Sequence, residues 1–263
     1  APLFNFTFDS LVWFYGLIAF IAFCLVSSSI YLLNDSIDFK SDRNHPRKKF
    51  RPIASGKISI KSARILSFIL FILSLAISWS VSRALTIVIG FYFLIQIVYC
   101  LWLKRKPILD IFSIASGFLL RAIAGITACS LPNSPWFLLT IGLLALFLAI
   151  EKRKAELRLS IERGHVTREV LKRYSLPLLL RLEGLVSTSS FITYSLWASG
   201  PIFRGAGSTW MMITIPFVLV GIFRYQLLSD PEESKRRKES NPDHATEMPE
   251  EILLSDRGIQ LTL

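Results

Sequence analysis

Histidine and cysteine are scarce in this 263-residue chain, three of each. Cys24, Cys100 and Cys129 lie in or at the end of apolar runs, with no C-x-x-C spacing and no nearby pair of histidines. That excludes a zinc site and a disulfide framework and leaves the thiols as lipid-facing or bundle-facing packing. It also removes any convincing His- or Cys-centred nucleophile arrangement. Acidic residues are in the minority, 19 against 30 lysines and arginines, for a net charge of +11. Most charges lie in the segments between apolar runs or near the ends of the runs, so the excess belongs to loops at a membrane surface and not to a nucleic-acid groove. There is no repeat of 20 to 50 residues, no ten-residue polar/apolar alternation of the outer-membrane-barrel kind, and no signal-peptide pattern in Ala1-Pro2-Leu3-Phe4-Asn5-Phe6.

What is present is hydrophobicity, 52% of residues, gathered into runs of about 20, the length that crosses a hydrocarbon core of roughly 30 Å. Seven spans are expected, near 11–33, 62–80, 84–103, 108–129, 136–153, 177–199 and 209–228. The expected fold is all-α, a polytopic transmembrane helical bundle in which every backbone group bonds within its own segment. Alternate loops differ sharply in charge. Lys40 to Arg64, Lys104-Arg105-Lys106, Lys152 to Arg173, and Arg224 with Lys235 to Lys238 carry the basic residues, while the opposite loops hold Arg83, an uncharged 130–135 and Arg204. By the positive-inside rule the basic side is cytoplasmic. The whole chain, 1–263, reads as one transmembrane domain, with 229–250 a polar cytoplasmic linker. Both ends read as fragment ends, because the chain starts inside an element and Ile259-Gln260-Leu261-Thr262-Leu263 looks like the start of another apolar run.

At the basic end of the first span stands Asn34-Asp35-x-x-Asp38-x-x-x-Asp42. Offsets of three and four residues put all three carboxylates on one helix face, where like charges repel unless a cation sits among them. One reading is a hard-cation site in which carboxylate oxygens hold Mg²⁺ on a phosphorylated substrate. The other is a solvated helix end neutralised by nearby lysines. A basic loop follows directly, Arg43-Asn44-His45-Pro46-Arg47-Lys48-Lys49-Phe50-Arg51-Pro52-Ile53-Ala54-Ser55-Gly56. Acidic cradle and basic clamp are the combination a Mg²⁺-polyphosphate needs, although such a loop is also attracted to anionic headgroups. His45 reads as a hydrogen-bonding loop residue. The second basic loop offers Tyr99, Lys104, Arg105 and Asp110; Lys104 either contacts phosphate or anchors a helix end by snorkelling. Arg121 lies well inside the fourth span, where a charge is costly unless it faces a cavity or a partner, so it is either a site residue or half of a structural pair. Arg181 and Glu183 lie nearer a span end and read as interfacial anchors.

These motifs resemble the UbiA superfamily of intramembrane transferases, whose first signature is N-D-x-x-D-x-x-x-D followed by R-P-[IL]-x-x-G and whose second loop resembles Tyr99-x-x-x-Leu103-Lys104-Arg105. The third basic loop departs from the classical prenyltransferases of that superfamily. Where they carry a second D-x-x-x-D motif, this chain has Glu151-Lys152-Arg153-Lys154-Ala155-Glu156-Leu157. That pattern, the Asp42-Arg43 to Gly56 form of the first motif, and Pro249-Glu250 to Arg257 near the end resemble the decaprenyl-phosphate phosphoribosyltransferases. Members of that family have about nine spans and an amino-terminal R-P-x-Q-W stretch that this sequence lacks.

The resemblance implies Mg²⁺-dependent transfer of 5-phosphoribose from phosphoribosyl pyrophosphate to a polyprenyl phosphate in the bacterial inner membrane, with the active site facing the cytoplasm. Asp35 and Asp38 would hold the metal, with Asn34 and the catalytic Asp42 supporting the site or contacting ribose. Arg51, Tyr99, Lys104, Arg121, Lys152, Arg153 and Glu156 would line the substrates, with cations on phosphate oxygens. The implied partners are those two substrates and membrane lipid, with no nucleic acid, and a homo-oligomer is compatible with the reading. The rival is a prenyltransferase that moves a polyprenyl group from its diphosphate to an aromatic acceptor, which requires a second metal cradle.

Overall fold

The computed structural model describes residues 9–44, 48–162, 169–200, 205–233, 236 and 256. Among them there is no strand, and seven α-helices follow one another: α1 Ser10–Arg43, α2 Ile60–Val81, α3 Arg83–Leu101, α4 Leu109–Ala128, α5 Pro135–Glu162, α6 Leu176–Ala198 and α7 Ile215–Leu228. The first five, and Thr209–Leu228 in which a 3-10 turn over Thr209–Thr214 leads into α7, are long and apolar enough to cross a bilayer. The expected span at 177–199 is helical, as α6, but is not among these six. Arg181, Glu183 and a run of serines and threonines from Ser187 to Ser195 dilute its apolar character. Most of the 229–250 linker, the 249–257 motif except Asp256, and His45 lie outside the described residues.

Two helices outrun their apolar stretches. α1 continues ten residues past the expected end of its span, through the whole aspartate motif to Arg43, and α5 continues to Glu162. Caps fix several helix starts. The side chains of Asp9, Ser59, Ser82 and Ser175 accept backbone N–H bonds at the first turns of α1, α2, α3 and α6, satisfying donors that the helix itself leaves open. Ser82 also ends α2, so α2 and α3 are joined through one extended residue.

The chain divides into two compact units, residues 1–104 with 120–132, and residues 105–119 with 133–263. In the first, Ala19, Ala22, Phe23, Val26 and Ile30 of α1 pack with Leu85, Ile89 and Tyr92 of α3 and with Leu120, Ala124 and Ala128 of α4. The buried stripe of α2 is small: Ala63, Ser67, Ser74 and Ser78. Small residues let the α1 and α2 backbones approach closely enough for serine hydroxyls to bond across. Ser29 Oγ donates to Ser67 O at 2.7 Å, Ser67 Oγ donates to Ser29 O at 2.8 Å, and Ser74 Oγ donates to Ala22 O at 2.7 Å. Phe68, Trp79, Ile87 and Phe91 are exposed, as expected of side chains turned to lipid tails. Cys100 and Cys129 are buried and Cys24 exposed, all as free thiols.

In the second unit Ile111, Ala149, Ile150, Leu157, Val170, Leu171, Tyr174 and Leu179 form one core cluster, and Phe147, Tyr225 and Leu228 another. Thr140 of α5 donates to Thr193 of α6 at 3.1 Å. After α6, Gly205 sits so close to the chain that a Cβ there would lie 2.1 Å from the Trp197 carbonyl oxygen. Only glycine fits, which lets Ala206 N donate to that carbonyl at 2.8 Å.

Candidate functional site

Because α1 stays helical to Arg43, Asn34, Asp35, Asp38 and Asp42 are all helical residues, and the three carboxylates share a face as their spacing requires. Their cationic partners come from two loops of the same unit. Arg51 Nη1 donates to Asp35 Oδ1 at 2.7 Å and to Asp42 Oδ2 at 3.0 Å, and Lys104 Nζ donates to Asp38 Oδ1 at 2.6 Å. Side-chain exposure separates the carboxylates: 21% for Asp35, 28% for Asp38 and 5% for Asp42. Asp42 therefore acts as the fixed anchor of Arg51, and Asp35 and Asp38 face out. Asn34 and Tyr99 are half-buried, Tyr99 against the α1/α3/α4 core.

The loop that delivers Arg51 is held from beneath. Ile53 and Ala54 are buried, Arg43 Nε donates to the Ala54 carbonyl at 3.0 Å, and Ser55 N and Ile58 N close turns onto Arg51 O and Pro52 O. Gly56 takes φ +82°, the left-handed conformation that L side chains resist. The R-P-I-A-S-G sequence is thus a compact turn that presents one guanidinium to the aspartates.

No group of three His, Cys, Asp or Glu side chains able to cage a metal occurs among the described residues. Mg²⁺ does not need one, since it is commonly held by one or two carboxylates together with waters and substrate phosphates. Two partly exposed carboxylates flanked by a guanidinium and an ammonium fit that use.

Arg121 lines a groove of about 610 Å³ between α1 and α4 in the same unit, together with Trp13, Phe20, Phe23, Cys24 and Ser27 among others. Its guanidinium lies 5.8 Å from the centroid of the Tyr92 ring and donates to Tyr92 Oη at 3.4 Å. The groove's lining is mostly apolar, as suits hydrocarbon.

The second unit holds a different charge cluster. Arg153 is buried, its Nε donating to Asp110 Oδ2 at 2.7 Å and its Nη1 to Glu156. Asp110 Oδ1 also accepts from Tyr174 Oη at 2.7 Å, and Tyr174 Oη in turn accepts from Ile108 N at 2.6 Å. Burial pushes the Tyr174 phenol well above its ordinary pKa, so it stays a proton donor. Ile108 sits at φ 70°, costly for a β-branched residue, and this hydrogen bond helps hold it there. Lys154 is buried between Glu151 and Glu183, and Glu183 also accepts from Gln226 Nε2 at 3.1 Å. Arg153, which the resemblance would set on phosphate oxygens, is here buried on Asp110 and Glu156. Lys152 and Glu156 are half-buried. Glu183 is corrected outright: it is no interfacial anchor but a buried ion-pair member where α6 packs on α5, whereas Arg181 is exposed. Tyr174 and Gln226 carried no motif that would have singled them out, and Lys154 lay in the quoted 151–157 stretch without a role assigned to it.

Residues 7–241 match the UbiA prenyltransferase family. A decaprenyl-phosphate phosphoribosyltransferase of Mycolicibacterium smegmatis is 38% identical over 252 residues, covering 93% of this chain and 75% of that protein. One from Corynebacterium glutamicum is 35% identical over 93% of this chain and 71% of its own length. Among solved structures, a UbiA homolog from Archaeoglobus fulgidus bound to GPP and Mg²⁺ superposes with a TM-score of 0.70 at 16% identity, covering 84% of this chain and 78% of that one. The same homolog bound to DMAPP and Mg²⁺ gives 0.68 at 15% identity, covering 80% and 74%. At such identities the likeness is one of fold.

Proposed function

Since the chain belongs to the UbiA prenyltransferase family and is an integral membrane protein, we propose that it is the transferase its relatives' name describes. It moves 5-phosphoribose from phosphoribosyl pyrophosphate to a polyprenyl phosphate and releases pyrophosphate. The observation that carries the reading is the relatives' identity over more than nine-tenths of the chain, and the aspartate cluster with its two cations supplies a chemistry that suits it. The basic loops support an orientation in which this cluster faces the cytoplasm of a bacterial cell from the inner membrane.

Asp35 and Asp38 are the proposed Mg²⁺ ligands, with Asn34 and Asp42 supporting them. When bound, the ion would offset charge on the pyrophosphate leaving group. Arg51 and Lys104, now on the carboxylates, turn to phosphate oxygens once the donor arrives, and Lys152 and Glu156 remain candidates for substrate contacts. The bond from ribose C1 to the pyrophosphate oxygen breaks as an oxygen of the lipid phosphate bonds to C1. That oxygen is already ionised at neutral pH, so no strong general base is required. Catalysis then rests on positioning and on charge stabilisation of the leaving group. The apolar groove beside Arg121 suits the polyprenyl tail.

The rival, prenyl transfer to an aromatic acceptor, calls for a second carboxylate cradle. Glu151 is buried against Lys154 and Glu156 is bonded to Arg153, which disfavours it. The test is to incubate the purified protein in lipid with Mg²⁺, polyprenyl phosphate and labelled phosphoribosyl pyrophosphate. Label should enter the organic phase and be lost with chelator or Asp35→Ala. Turnover of a polyprenyl diphosphate with an aromatic acceptor, and no lipid-borne label, would move the protein to the rival branch.

A further inference from the structure

Phe50 and Arg51 are neighbours with opposite destinations. Arg51 turns onto Asp35 and Asp42, whereas Phe50, the last residue of a 3-10 turn over Lys48–Phe50, is 74% exposed. Ile53 and Ala54, three and four residues on, are buried, and the Arg43 bond to Ala54 O pins that turn. Lys49 Nζ lies 5.1 Å from the centroid of the Phe50 ring. Further along, Lys57, Ile58, Lys61 and Arg64 are exposed, and Ile65, Leu66 and Phe68 of α2 then begin an exposed apolar belt. Charge along this stretch has one sign: from Arg43 to Arg64 inclusive there are eight lysines and arginines, and no acidic residue occurs from Arg43 to Leu109.

An exposed aromatic ring set among lysines, in the loop joining two helices long enough to span, matches a surface that is anionic at headgroup depth and apolar beneath. We propose that the turn Lys48–Phe50, with Lys57, Ile58 and Lys61, is a docking surface for anionic lipid headgroups, with the Phe50 ring seated at the top of the acyl chains. The occupant follows from charge complementarity. A lipid without net charge attracts the lysines less, and an acidic protein surface does not by itself give the ring the apolar layer that acyl chains do. Seating Phe50 in the interface also fixes the backbone from which Arg51 reaches the aspartates. This surface is separate from the proposed chemistry and stands or falls without it.

The experiment compares Phe50→Trp with the parent protein in bilayers whose lipids carry bromine on the acyl chains near the glycerol. Subtracting the parent removes the signal of the native tryptophans. The added fluorescence should be quenched by about half or more in brominated phosphatidylglycerol and several-fold less in brominated phosphatidylcholine. The difference should close in 1 M KCl, where the Debye length is about 3 Å, and in Phe50→Trp carrying Lys49→Ser, Lys57→Ser and Lys61→Ser. Equal, salt-insensitive quenching in the two lipids would overturn the proposal by reducing the contact to simple apolar burial. No quenching in either would overturn it by showing the ring covered by protein.

Discussion

The two charge clusters use the same residue types in opposite surroundings. In the first unit, the side chains of Asp35, Asp38, Lys104 and Arg51 keep 21, 28, 13 and 39% of their surface. In the second, Asp110, Arg153, Glu151, Lys154 and Glu183 keep 0, 1, 2, 4 and 7%. A pair that is partly in water gains little from its partner and is cheaply rearranged. A buried pair is costly to break, because the charge left behind has no water to turn to. The pairs on Asp35 and Asp38 can therefore be exchanged at low cost, unlike the bond from Arg51 to the buried Asp42, and the second cluster's Asp110, Glu151 and Glu183 pairs cannot be broken without loosening the helices that bury them.

The largest effect expected from this contrast is on stability. Arg153→Ala takes the guanidinium from the buried Asp110, leaving it the Tyr174 hydrogen bond, and should cost about 3–5 kcal/mol, read as unfolding in detergent, whereas Arg153→Met with Asp110→Asn should recover much of it. A single variant within about 1 kcal/mol of the parent would remove the buried cluster's structural role. Asp38→Asn should do the reverse, leaving unfolding nearly unchanged while lipid-borne label formation falls at least roughly 100-fold. A smaller effect separates the two jobs of the cations. With Mn²⁺ as the probe, Arg51→Ala or Lys104→Met should tighten binding of the bare ion, because a competing positive charge has gone. The same variants should weaken binding of Mn²⁺-pyrophosphate, each by roughly tenfold, which corresponds to about 1.4 kcal/mol. If both affinities move in the same direction, the cations do not exchange between carboxylate and phosphate.

Much of this contrast was hidden in the sequence. The helices were legible because an apolar run of about 20 residues has one stable answer in a bilayer. The aspartate face was legible because offsets of three, four and seven all fall on one side of a helix. The ends of the elements were not: charged residues carried α1 through Arg43 and α5 through Glu162, where hydropathy alone ended the spans earlier. Nor could the order Glu151-Lys152-Arg153-Lys154 say which charges turn inward. Successive helix residues point about 100° apart, so the half-buried Lys152 and the buried Arg153 and Lys154 have different fates set by what α5 packs against. Glu183 misled for the same reason, since closeness to a span end looked like access to water. Asp110 was visible within its motif, but its role depends on Tyr174, more than 60 residues away.

The smallest expected effect tests whether polar groups in the first unit also hold helices together, as ions do in the second. Ser29 and Ser67 bond reciprocally, each hydroxyl to the other's carbonyl, with the two oxygens 3.0 Å apart. Ser67→Ala deletes the bond to Ser29 O and the hydroxyl contact, but it spares the bond from Ser29 Oγ to the Ser67 carbonyl and keeps the close approach of α1 and α2. Interhelical bonds of this kind average about 0.6 kcal/mol in membrane proteins, so the variant should lose about that much in the same detergent unfolding measurement. A loss several times larger would mean that the hydroxyls carry the α1/α2 contact. The expected small value would instead leave that contact to the packing of Ala22, Ala63 and the other small residues, with hydroxyl bonding as a minor addition.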